Sequence, residues 1–145
     1  MSISENKLPN DPLEGKSIEE LGKNLRSGLI TCKEITSIYF ERIEALNSKL
    51  HSYIYFNKSN TLSWADGIDK LISNGVDLGP LMGIPVAIKD ICSVTGMPTT
   101  NGSDIKTDDL TGPEGTLVTR LKSLGCVILG KTHTVEFALG ATGVN

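Results

Sequence analysis

Residues 79–90 read GPLMGIPVAIKD, an apolar run from Ile84 to Ile88 that ends on Lys89 and Asp90. A continuous apolar run without alternation reads as a strand buried on both faces, the pattern of a parallel sheet. A charge at the end of such a strand either marks the surface or has a chemical task. On the C-terminal side, SVTGMPTTNGSDIKTDDLTGPEG (93–115) is dense in Gly, Pro, Thr and Asp and reads as a long ordered loop. Loops of that length inside domains are commonly functional. A helix is expected from Glu114, with Leu117, Val118, Leu121 and Leu124 on its buried face, Pro113 in its first turn, Lys122 in its last and Gly125 ending it. CVILG (126–130) is then a second strand. Strand, loop, helix, strand is a crossover unit, so 84–90 and 126–130 are expected to lie parallel. The fold class is α/β.

Outward from this unit, the N-terminal half reads as helical. Ser17 with Glu20 and Thr31 with Glu34 are two capping boxes, each of which starts a helix. The second helix carries Ile35, Ile38, Tyr39, Ile43 and Leu46 at helical spacing, with charged residues largely on its other side, and Asn47 and Ser48 are expected to close it. HSYIYF (51–56) is rich in aromatic and β-branched residues and predicts a short strand. A third helix is expected over 61–74, with Gly75 where a left-handed residue belongs.

The chain has 145 residues, 39% hydrophobic and 21% charged, with a net charge of -3. That length supports one domain able to bury about 70% of the surface its unfolded state exposes. No basic face is concentrated along the chain, which argues against nucleic acid or an anionic membrane as partner. The start, MSISENKLPNDP, is too polar for a secretory signal, and no apolar run approaches a membrane span of roughly 18 residues. A cytoplasmic location follows by default. Cys32, Cys92 and Cys126 are odd in number and widely spaced, unlike a disulfide framework or a zinc site, and read as packing thiols. Cys92 lies near Lys89, but neither His51 nor His133 is tied to it by a local motif that would make it a nucleophile.

GCVILGKT (125–132) satisfies the phosphate-loop pattern letter for letter. In a true phosphate loop the four intervening residues form a turn whose N–H groups face the phosphates, whereas here they are the strand itself. Pairing in a sheet consumes those donors. The match is read as false, and Lys131 as a solvent or ion-pair residue at a strand end.

Taken in order, WADGIDKLISNG, LGPLMGIPVAIKD, PTTNGS and GTLVTRLKSLGCVILGKTHTVEFALGATGVN resemble the N-terminal third of the amidase signature enzymes. GIPVAIKD, the TTxGS loop and LGKTHTxEFALGxTGVN, at these distances, are specific to that family. The resemblance implies an α/β fold with a mixed sheet flanked by helices, of which residues 1–145 form the N-terminal part of one domain. It implies amide hydrolysis or transfer through an acyl-enzyme by a Ser, cis-Ser, Lys triad. The family's catalytic lysine, in GIPVAIKD, falls on Lys89. A lysine is a base only when neutral, and burial disfavours the ammonium form. Without the family, the expected reading of Lys89 is a snorkelling side chain paired to Asp90 or to another carboxylate.

Both serines of the family's triad lie in a downstream Gly/Ser-rich segment that also supplies the oxyanion hole, and Asn145 precedes any such segment. Ser93 and Ser103 inherit neither role; Ser103 reads as a turn residue after Asn101-Gly102. Met82 stands where many members have histidine, and His133 where some have asparagine. The chain alone is therefore expected to be inactive and to leave an apolar sheet edge unpaired. The partners implied are a small-molecule amide substrate and the remainder of the amidase chain, and a homodimer of the complete enzyme is compatible with them. No metal, nucleotide or flavin is implied. The glutaminase subunit of a tRNA-dependent amidotransferase shares this region, although GKTHTVEFALGATGVN leans toward a simple amidase. A non-catalytic interaction module or an inactive remnant is the reading from a different class.

Overall fold

A computed structural model of the chain describes residues 8–107 and 109–145. The polar start of the sequence falls largely on residues 1–7, outside the described residues. The elements run α1 (Ile18–Arg26), α2 (Cys32–Leu50), β1 (Tyr53–Tyr55), α3 (Lys58–Ser73), β2 (Pro85–Lys89), α4 (Thr116–Ser123) and β3 (Val127–Thr132), followed by a 3-10 turn over Glu136–Ala138. Both capping boxes form, so the two helix starts are those expected.

The helix ends differ from expectation for local reasons. α2 does not close at Asn47. It runs to Leu50, with His51 in the left-handed region as its cap, because Asn47 turns its amide outward to bridge the Tyr53 backbone at both N–H and C=O, each at 2.8 Å. α3 starts before Thr61 because the Asn57 side chain caps the Asn60 N–H. α4 starts at Thr116 rather than Glu114, whose carboxylate is taken by the Thr95 N–H at 2.7 Å and by Lys122. Leu117, expected on the buried face, is 62% exposed, whereas Val118, expected there with it, is in the core. On α2, Phe40 is fully buried although the expected stripe omits it.

The sheet is mixed, in the order β1-β3-β2, with β3 antiparallel to β1 and parallel to β2. The crossover expected from sequence is therefore present. β3 is central and buried from Val127 to Lys131. β2 is not covered on both faces as its composition suggests. It is an edge strand among the described residues, and within it only Ile88 is buried. Three apolar clusters sort the sheet's faces. Val127 packs with Leu21, Leu25, Ile35, Ala65 and Ile68 of α1–α3, and Leu129 packs with Phe40 and Ile43 of α2. Ile128 faces the other way, against Ile88, Val94 and Val118 of α4. Among the described residues no helix is long and apolar enough to cross a membrane.

One glycine is fixed by close approach. A Cβ on Gly130 would lie 2.3 Å from the Tyr55 carbonyl oxygen, so β1 reaches β3 only because residue 130 has no side chain. At the same place the β2–β3 register slips: Val86 faces Ile128 and Ala87 faces Gly130, leaving Leu129 as an extra residue.

Candidate functional site

Parallel pairing brings the carboxyl ends of β2 and β3 to one edge of the sheet, the edge at which open α/β sheets build their sites. Lys89 and Thr132 are register partners there, and Ile88 faces Lys131. Lys89 is exposed, on the face opposite the buried Ile88. Burial of Lys89, expected from the apolar run, is absent in these 145 residues because nothing described covers that face of the edge strand. The expected pairing of Lys89 with Asp90 is also absent: alternation along the strand sends the two side chains to opposite faces.

Asp90 pairs with Lys131. Both side chains are 0% exposed, and Lys131 Nζ lies 2.9 Å from Asp90 Oδ1. Lys131 Nζ also donates to the Pro98 carbonyl at 3.0 Å and to Thr99 Oγ1 at 2.6 Å, so two hydrogen bonds and the ion pair hold its ammonium. The other carboxylate oxygen of Asp90 accepts from the Thr100 N–H at 3.0 Å and its hydroxyl at 2.6 Å. Lys131 is thus the ion-pair residue that one branch of the sequence reading allows, in a buried setting rather than a solvated one. The phosphate-loop match is false, since residues 127–132 are sheet and Gly130 serves the approach of Tyr55.

The TTNGS loop lies over this edge. Asn101 and Gly102 both have positive φ, and Ser103 N–H closes the turn on the Thr100 carbonyl at 3.1 Å. The 3-10 turn docks on it: Phe137 N–H donates to the Asn101 carbonyl at 2.7 Å, and Ser103 Oγ donates to Glu136 Oε1 at 2.7 Å. Phe137 and Ala138 also hold positive φ, so strained backbone gathers beside the same loop. Ser103 is a turn-stabilising residue, as expected. Ser93 ties the long loop to itself by donating to the Gly112 carbonyl at 2.8 Å.

Met82 lies at the other end of β2 from Lys89. It is buried in the α1–α3 cluster, with the Leu78 N–H on its sulfur at 3.3 Å, and is a packing residue. His133 follows β3, and its N–H pairs with the Ser52 carbonyl at 2.8 Å. Burial, with the Asp69 charge adding to it, pushes the Cys32 thiol up to about 12, and burial also raises Cys126. Neither is a thiolate nucleophile. Cys92 packs against the Ile88 cluster.

The Asp90–Lys131 pair is the feature that sequence reasoning missed. The signal was two apolar runs, each ending in a charge, on strands expected to be neighbours.

Residues 34–145 match the Amidase family. A glutamyl-tRNA(Gln) amidotransferase subunit of Streptomyces coelicolor is 37% identical over 126 residues, which cover 87% of this chain and 25% of that protein. The same-named subunit of Cyanothece sp. is 39% identical over 129 residues, 89% of this chain and 27% of that one. The peptide amidase of Stenotrophomonas maltophilia has the same fold over 88% of this chain and 26% of its own, with a TM-score of 0.80 and 30% identity. The chain spans about a quarter of the length of these relatives.

Proposed function

The chain belongs to the amidase signature family, and from that membership we propose that it carries the lysine base of an amide-cleaving Ser, cis-Ser, Lys triad at Lys89. The observation that supports this most is the division of labour at the sheet edge. The carboxylate next to Lys89 is spent on Lys131, so the Lys89 side chain stands exposed and without that partner at the carboxyl end of a parallel strand. In this reading, neutral Lys89 takes the proton of a bridging serine, which takes that of the nucleophilic serine as its oxygen attacks the amide carbonyl carbon. The carbon–nitrogen bond breaks, the amine leaves with the proton, and water hydrolyses the acyl-enzyme. Both serines and most of the oxyanion hole come from chain beyond Asn145, which would also cover Lys89 and exclude water from it.

The test is made on the complete polypeptide that carries these residues, with simple carboxamides as substrates. Lys89→Ala should lower kcat by roughly three orders of magnitude or more, and Lys89→Arg nearly as much, because arginine keeps the charge but cannot accept the proton. An active Lys89→Arg enzyme would falsify the base assignment.

A second reading has its own support. The curated relatives at 37% and 39% identity are amidotransferase subunits named for glutamyl-tRNA(Gln). On this reading the complete protein is a glutaminase subunit that hands ammonia to a partner. Release of ammonia from glutamine that rises on adding partner subunits would favour it over a free-standing amidase acting in the cytoplasm.

A further inference from the structure

The β2–β3 register slip decides where Lys131 points. Ile128 and Ile88 share the cluster on the α4 side of the sheet, and without an extra residue Lys131, three positions beyond Ile128, would leave on the opposite face. The skip at Leu129 makes Lys131 the register partner of Ile88 and aims its ammonium under the 98–101 loop. Asp90, two residues beyond Ile88, emerges on the same face. Its main chain is held as well: its N–H donates to the Thr132 carbonyl and its carbonyl accepts from the Asn101 N–H, both at 3.0 Å. Asp90 therefore fixes the backbone immediately after Lys89 through its N–H, its C=O, the hydrogen bonds of one carboxylate oxygen to Thr100 and the ion pair of the other with Lys131.

We propose that Asp90 and Lys131 are a positioning pair: Lys131 clamps the 98–101 loop onto the sheet edge, and Asp90 locks the backbone that aims Lys89. The inference rests on the catalytic reading of Lys89 given above. Buried ion pairs contribute little net stability, since apolar residues of similar volume commonly replace them without loss. What an apolar replacement does not reproduce is the set of hydrogen bonds that this pair makes to Pro98, Thr99 and Thr100. The pair's use is thus geometric, and misplacing a reacting group by about 1 Å can cost on the order of 100-fold in rate.

The test compares wild type with Asp90→Leu/Lys131→Met and with the isosteric Asp90→Asn, all in the complete polypeptide. Two readouts are taken: hydrogen exchange at the Thr100 and Asn101 amides, and kcat and KM on a simple carboxamide. The expected result is exchange faster by about tenfold or more at those two amides, with kcat lower by about 100-fold and KM within about threefold. If the double variant does not fold, Asp90→Asn carries both readouts. Unchanged exchange at Thr100 and Asn101, or unchanged kcat in a variant with faster exchange, overturns the proposal. Turnover that survives Lys89→Ala overturns the catalytic reading instead; the exchange rates do not depend on that reading, so accelerated exchange would still support the clamp.

Discussion

Lys89 and Lys131, on neighbouring parallel strands and one register position apart, leave the sheet on opposite faces: one is exposed, the other fully buried against Asp90. Their substitutions should separate cleanly. Lys89→Ala should change stability by no more than about 0.5 kcal/mol, as at other exposed positions without a specific role. Lys131→Ala should cost about 3–5 kcal/mol, because it strands Asp90 uncompensated in the interior. Urea unfolding of the two variants measures this, and equal losses would contradict the assignment of faces.

The parallel β2–β3 crossover and both capping boxes were legible because each follows from local pattern: apolar run, turn residues, Ser or Thr three positions before Glu; the antiparallel place of β1 beside β3 was not. What escaped was set by residues far apart in the chain. The bulge at Leu129 exists where Tyr55 and Phe56, some 75 positions earlier, press on Gly130, and no window around residues 125–132 contains that information. The burial of Lys131 follows from the bulge, so the pair was hidden with it. Lys89 was expected to be buried because its strand is apolar, yet β2 lies at an edge of the sheet and only Ile88 within it is buried, so an apolar composition did not mean cover on both faces.

Gly130→Ala probes the close approach directly. A methyl group 2.3 Å from the Tyr55 oxygen and 2.9 Å from the Phe56 Cβ cannot be accommodated by a side-chain rotation, because the nearest atom is backbone. β1 must move away from β3. A loss of about 2 kcal/mol or more is expected, in the range of overpacked interiors, with faster hydrogen exchange at the His133 amide, which donates to Ser52. Stability within a few tenths of wild type would show that the strand can yield.

Among the described residues β2 offers a free edge in the order β1-β3-β2, with Ala87 and Lys89 exposed and only Pro85 at its start and Lys89 at its end to blunt it. We expect purified residues 1–145 to self-associate with rising concentration and to unfold over a broad, weakly cooperative transition. Extending the chain to the length of its relatives should abolish both. A sharp transition in a monomer of residues 1–145, seen by sedimentation and melting together, would instead mark a self-sufficient module.

Acid should loosen the long loop first. Burial pushes the Glu114 carboxyl up, but its hydrogen bonds to Lys122 and to the Thr95 N–H more than reverse this and leave it below its ordinary 4.5. The Thr31 backbone N–H and hydroxyl lower Glu34, and the Arg26 guanidinium, helped by the Gly79 N–H, lowers Asp77. A carboxyl whose folded pKa is depressed contributes stability above its unfolded pKa and loses it as the pH falls through the folded value. The melting temperature should therefore fall below about pH 4.5 and keep falling toward about pH 3. Glu114→Gln removes one titrating group, so its melting temperature should be lower than wild type at neutral pH and converge on it in acid. Parallel curves for the two proteins across that range would mean that the Glu114–Lys122 contact does not hold the 93–115 loop to α4.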